Sequence, residues 1–344
     1  MNIGKIKTTY GKVIYIFFVL LIGALYVPFI SLMPNEWFRD RDNYIIYAQS
    51  SELIMNSYSN LSLLFNEPLF LLLNKFLSKL FDYNFIPHIY ILFFMIVFYA
   101  GLIKYSKNFI TFIFGILLSL TIPYMLQSEL VALRQSIATA ILMVSFILVK
   151  DDYKVAFIVF MCSFIHSIFF IFSVFYILNF IFLKNLNINK KIFINFIVMI
   201  FVSLFSIALA KFFGLRQGDE YNQNMNVARS GGAFIVFLGV FIYLFFIGNK
   251  QENRLYTFTM IGLVMFLTAY FLTPISGRLF NTIIPFLIFL LISKGRVSDI
   301  IFLMGLLFVF LILFFLGSYN DLLSISEVEI INKFSLYYRD FFSL

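Results

Sequence analysis

The sequence predicts an all-α, polytopic transmembrane helical bundle, and three observations predict it. Of 344 residues, 62% are hydrophobic and 12% charged, against about 25% charged in an ordinary soluble chain. Apolar runs of roughly 17–25 residues, enough to cross about 30 Å of hydrocarbon, recur from end to end. Lysines gather in the polar joints between alternate runs, as they do in cytoplasmic loops. The formal charge of +8 comes largely from these lysines, so it points to membrane topology and to no nucleic-acid partner. The lone Cys162 leaves no internal disulfide and no multi-cysteine metal site. No metal-ligand cluster and no cofactor is expected, and residues 1–344 read as one integral membrane domain.

The first run, Val13 to Leu32, follows Lys5, Lys7 and Lys12. It is too long for the apolar part of a signal peptide and ends in Met33-Pro34-Asn35-Glu36, so it reads as a retained span with a cytoplasmic N-terminus. Residues 33–86 form an extracytoplasmic loop. Its later part, after Glu67-Pro68, is amphipathic and carries Asn74, Lys75 and Lys79, which places it at the outer interface. Further runs cover about 87–103, 109–126, 130–149, 192–213, 233–248, 255–273, 279–293 and 300–317. A second loop, 214–232, and a C-terminal tail, 318–344, fall outside by span parity.

The stretch 155–183 fits one tilted span or a hairpin. Lys150 and Lys154 precede it, and Lys184, Lys190 and Lys191 follow. With both flanks cytoplasmic, the chain must turn back near His166-Ser167 inside a cavity open to the outer side, because irregular backbone at that depth needs protein or water. Including this hairpin, about 10–12 membrane segments are expected.

On this topology most lysines lie inside, whereas Arg39, Arg41, Arg134, Arg216, Arg229, Arg278 and Arg339 face out. Arginines set against the usual bias need a reason. Guanidinium stays charged and grips phosphate with two prongs, and a set of them near lipid suits a lipid-linked diphosphate. Arg134 and Arg278 sit within or beside apolar runs, where an ionised side chain costs roughly 2.5–3.5 kcal/mol and marks function. Arg134 is close enough to its span end to snorkel outward, and outer-face carboxylates could pair with these arginines as ordinary loop charges.

Five short constellations carry chemistry: Arg39-Asp40-Arg41-Asp42-Asn43-Tyr44 with Tyr47; Asn66-Glu67-Pro68-Leu69-Phe70; Leu133-Arg134-Gln135-Ser136; Ile165-His166-Ser167; and Gly277-Arg278 after Pro274. Carboxylates in the first suit a general base or a hold on sugar hydroxyls, and its tyrosines suit stacking on sugar rings. In the second, Pro beside Glu also reads as ordinary helix capping. A lone His such as His166 is often a packing residue, yet it stands midway along an apolar segment.

These residues, in this order, resemble the EpsG-like family, a branch of the Wzy-type O-antigen and exopolysaccharide polymerases. The matching features are Asp42 with Tyr44 and Tyr47, then Glu67-Pro68-Leu69-Phe70, Leu133-Arg134-Gln135, His166-Ser167 and Gly277-Arg278, across about three-quarters of the chain. The loop 214–232 departs from the pattern: its Arg216 and Arg229 match no motif and rest on charge alone. The resemblance implies a metal-independent glycosyltransferase of the bacterial inner membrane with its active site on the periplasmic face. It would transfer a growing glycan from undecaprenyl diphosphate to the terminal sugar of a new lipid-linked oligosaccharide unit. Arg134 and Arg278, assisted by Arg229 or Arg216, are expected to hold the diphosphate. Asp42 is the first choice for the base, then His166, then Glu67; Tyr44, Tyr47 and Gln135 are expected to contact sugar. Membrane lipid surrounds the chain, and a separate co-polymerase is a natural regulator of product length.

Other readings use similar residues. A flippase for lipid-linked units needs outer cations too, but also a path inward and commonly internal repeats; no repeat is found. An O-antigen ligase would differ only in its acceptor, and an acyltransferase would need His166 reachable from inside.

Overall fold

The structure, a computed structural model, describes residues 9–212 and 231–342. Its helices are α1 (Thr9–Ser31), α2 (Arg41–Ser57), α3 (Asn60–Phe65), α4 (Pro68–Leu77), α5 (Ile86–Tyr105), α6 (Phe109–Thr121), α7 (Pro123–Leu130) and α8 (Leu133–Leu148). They continue with α9 (Asp152–Cys162), α10 (Phe169–Ile177), α11 (Ile188–Phe212), α12 (Gly232–Ile247), α13 (Asn253–Ala269), α14 (Ile275–Ile292), α15 (Val297–Phe315) and α16 (Glu327–Phe342). The described residues form an all-α bundle, as the apolar runs require.

Five of these helices are long and apolar enough to cross a membrane: α1, α5, α11, α14 and α15. A sixth arises if α6 and α7 are one broken span; they meet at 78°. The break falls at Ile122, whose place before Pro123 disfavours helical backbone. Helices α4, α8, α12, and α10 with the π turn that follows it are apolar but shorter. Several of the expected membrane segments are therefore too short to cross alone, because polar turns and prolines end them early.

Helix α14 is the axis of the bundle. Of its residues 89% are buried, against 22% in the spanning parts of α1, α11 and α15, which present apolar side chains outward. Helices α5, α6, α7, α8 and α13 all pack on α14. Between α5 and α14 the approach is very close. A Cβ at Gly101 would fall 2.2 Å from the Phe289 ring, and that ring is stacked between Phe98 (5.4 Å) and Tyr105 (5.3 Å). Phe289 has nowhere to retreat, so Gly101→Ala is expected to lower stability by about 1–3 kcal/mol through overpacking. A melting temperature in detergent equal to that of the unsubstituted protein would contradict this packing.

The doubtful stretch 155–183 is a hairpin. Its arms α9 and α10 pack together, and Tyr176 near the end of α10 donates to Asp152 at the start of α9 (3.3 Å). At that same end the Lys191 ammonium donates to the Asn179 carbonyl (2.9 Å). The lysine flanks thus lie at one end and the turn at residues 163–168 lies at the other.

The C-terminal tail folds back on the segment after α1. Phe38 and Leu323 form an antiparallel bridge, with Arg39 N–H donating to the Leu322 carbonyl (3.0 Å) and Ser324 N–H to that of Trp37 (2.9 Å). Trp37 also packs edge-on against Tyr337 of α16 (5.4 Å). Tail and first loop therefore share one end of the bundle.

Candidate functional site

A cavity of about 310 Å³ opens where α2, α4, α8, α14 and the α9–α10 turn meet. Small-molecule sites run from about 300 to 1,000 Å³. Its wall includes Asp40, Tyr44, Tyr47, Glu67, Arg134 and Arg278. All five constellations of the sequence contribute to it.

The walls are fixed by bonds between distant segments. Glu67 occupies the position before α4, with Pro68 at the first helical position. The Leu69 N–H donates to the Phe164 carbonyl (3.0 Å), and the Ser167 N–H donates to Glu67 Oε1 (3.2 Å). These two bonds dock the hairpin turn onto the start of α4. Arg134, in the first turn of α8, completes the joint by donating to Glu67 Oε2 at 2.5 Å. Its guanidinium lies over the rings of Tyr47 (5.2 Å) and Phe70 (5.9 Å). Phe70 in turn meets Tyr44 and Tyr47 edge-on, at 6.1 and 5.6 Å. A fixed cation in an aromatic wall results, with ion pair and ring contacts limiting its rotation.

Asp40 and Glu67 are the two non-glycine residues with positive φ among the described residues, at 64° and 61°. Such backbone costs roughly 1–3 kcal/mol and persists only where surrounding contacts impose it. For Glu67 the imposing contacts are those just described. For Asp40 they come from Arg41, which is wholly buried. Arg41 Nε donates to the Leu130 carbonyl (2.5 Å) and one terminal nitrogen to Asn35 Oδ1 (2.9 Å). The start of α2 is thereby pinned to the end of α7, with Asp40 at the cavity mouth.

Glu67 lies between α3 and α4, outside the spans. Burial alone would raise its pKa; the Arg134 charge, helped by the neighbouring His166 ring and the Ser167 N–H, outweighs it and holds the carboxyl below its usual range. A carboxyl depressed in the folded protein contributes stability above its unfolded pKa, and that contribution drains as pH falls through the folded value. The melting-temperature gap between the unsubstituted protein and Glu67→Gln is thus expected to hold from about pH 8 to 5 and to shrink below about pH 4. A gap that already closes between pH 7 and 6 would contradict it.

The site residues expected from sequence fare differently. Tyr44, Tyr47, Glu67, Arg134 and Arg278 share the cavity. His166 is buried behind it: Nε2 is 4.0 Å from Glu67 Oε1, and Nδ1 accepts the Ile168 N–H (3.3 Å), which leaves a neutral ring's proton facing Glu67. Asp42 is exposed and does not line the cavity; Asp40, two residues earlier, does. Gln135 is buried outside the wall, donating to the Arg278 carbonyl (2.5 Å) and Thr282 Oγ1 (2.7 Å). It ties α8 to the first turn of α14 and so places Arg278. Arg216 and Arg229 lie outside the described residues. Asp40 was visible in its charge cluster, but only the left-handed turn distinguishes it from Asp42. Among the described residues no group of three His, Cys, Asp or Glu is placed to hold a metal ion.

Two guanidinium groups, aromatic faces and two carboxylates share this one hollow, a set of groups whose chemistry can hold an anion beside a polar ring. The family model described as the EpsG family matches residues 15–332. No curated protein and no solved structure matches the chain.

Proposed function

Because the chain belongs to the EpsG family, we propose that it is a membrane polysaccharide polymerase that joins lipid-diphosphate-linked repeat units. The observation that carries this reading is the single cavity shared by Arg134, Arg278, Tyr44, Tyr47 and the carboxylates.

The donor is a growing glycan on undecaprenyl diphosphate, and the acceptor is the terminal sugar of a new unit. The acceptor hydroxyl oxygen attacks the anomeric carbon, the bond from that carbon to the diphosphate breaks, and the lipid diphosphate leaves with the electron pair. The diphosphate is already a good leaving group. What the protein adds is charge stabilisation, from Arg134 and Arg278 held in fixed positions, and removal of the hydroxyl proton. Glu67 is engaged by Arg134 and the Ser167 N–H, so its task is to position the cation. The proton goes to Asp40, the carboxylate at the mouth where an acceptor arrives. Tyr44 and Tyr47 offer faces and hydroxyls to the sugar. The cavity faces the periplasm on this reading, at the end of the bundle that carries the first loop and the tail, and a separate co-polymerase would tune product length.

Purified protein given lipid-linked units is expected to make long chains and release lipid diphosphate. In cells lacking it, single repeats should remain on their anchor at the outer face. Accumulation of units on the inner leaflet would contradict the reading and indicate a flippase.

A further inference from the structure

Along α14, Arg278 at the cavity above and Ser293, the residue that follows the helix, are about 22 Å apart at 1.5 Å per residue. At that far end lies a second, larger cavity of about 1,440 Å³. Its wall holds five cations, Lys104, Lys107, Lys250, Lys294 and Arg296, and one carboxylate, Glu252. Lysines at one end of a bundle can arise from topology alone, but a topological bias does not require them to share a hollow.

Four features show that the hollow is built. Two of its ammonium groups are fixed: Lys104 donates to the Ile147 carbonyl (2.8 Å), and Lys294 to those of Ile247 (2.6 Å) and Gly248 (2.9 Å). The carbonyls of Ile247 and Gly248, at the end of α12 in the wall, are thereby occupied. The N-cap residues of α6, α13 and α15 (Asn108, Glu252 and Arg296) all line the wall, which brings three helix N-termini to its edge. The loop of Lys294 is pressed against Lys107: a Cβ on Gly295 would lie 2.8 Å from Asn108 Nδ2 and 3.3 Å from Lys107 Cγ. Ser106 Oγ, also in the wall, is buried with no hydrogen-bond partner among the described residues.

We propose that this cavity binds a phosphate-bearing anion, gripped by Lys104, Lys107, Lys250, Lys294 and Arg296. Phosphate chemistry fits fixed ammonium groups and helix N-termini. The source is either the headgroup of an anionic phospholipid or a free phosphate compound. The apolar lip of Phe109 and Phe246, 38% and 72% exposed, lies beside the lysines as acyl chains would require. The inference stands apart from the polymerase reading, because it uses the opposite end of the bundle and none of the same residues.

Lys107 and Lys250 are exposed and cap no helix among the described residues, so replacing them should leave the fold intact. Native mass spectrometry of the detergent-purified chain would measure binding of dioleoyl phosphatidylglycerol and dioleoyl phosphatidylcholine. Calorimetry in phosphatidylcholine nanodiscs would measure inorganic pyrophosphate. At least one anion is expected to bind, phosphatidylglycerol at least fivefold tighter than phosphatidylcholine if the source is lipid. Lys107→Gln/Lys250→Gln should weaken that binding at least fivefold, with Lys107→Arg/Lys250→Arg restoring it. Binding of the lipid alone assigns a headgroup site; binding of pyrophosphate alone assigns a soluble ligand. If neither anion binds, or the glutamine variant binds as well as the unsubstituted chain, the proposal is overturned.

Discussion

Arg134→Ala is expected to lower glycan elongation by about 10²–10³-fold, the range seen when one preorganised stabiliser of developing charge is removed. It also strands Glu67, which is 6% exposed and accepts from Arg134 at 2.5 Å. Breaking one side of such a buried pair costs about 3–5 kcal/mol, so elongation must be read per folded molecule. The double variant Arg134→Met/Glu67→Gln separates the two effects. Removing both charges together restores much of the melting temperature, because no uncompensated charge remains, while elongation stays lost. Arg134→Lys keeps the charge without the two-pronged fork and should fall between. If folded Arg134→Ala elongates normally, Arg134 does not hold the leaving group.

The second large effect distinguishes two neighbouring carboxylates. Asp40→Asn is expected to slow elongation by about 10²–10⁴-fold, the contribution of a positioned general base, with little loss of stability because Asn tolerates left-handed backbone. Asp42→Asn should stay within about threefold, since Asp42 is exposed on the first turn of α2 and lines no part of the cavity. Equal losses from the two substitutions, or a loss confined to Asp42, would remove Asp40 from the mechanism.

That pair also shows how far the sequence could be read. The apolar runs fell within a few residues of helices because apolar length is a local property, but five of those helices are long enough to span, and the run at 109–126 breaks at Ile122. The hairpin was legible because lysines flank both arms of 155–183. The motifs around Tyr44, Glu67, Arg134, His166 and Arg278 were legible as unusual polar groups in apolar surroundings. What local pattern could not convey was which of them touch. Glu67 and Arg134 are far apart in the chain, and their bond depends on how the hairpin turn docks on α4. Gln135 read as a sugar ligand because a polar residue opening an apolar helix looks functional; only its bonds to Arg278 and Thr282 show a brace. Arg41 read as an outward cation, yet its side chain is sealed under α2. The lysine-lined cavity escaped notice because each lysine alone matches the positive-inside bias, and the hollow exists only once α5, α12 and α14 end side by side.

The central claim is that Arg134 and Arg278 together grip the diphosphate of a lipid-linked glycan. An experimental structure with a non-transferable lipid-diphosphate sugar bound tests it most directly. Phosphate oxygens are expected within about 3.2 Å of both guanidinium groups, with the sugar against Tyr44 and Tyr47 and its reacting end toward Asp40. Phosphates seated anywhere away from Arg134 and Arg278, including the lysine-lined cavity at the other end of α14, would contradict the account.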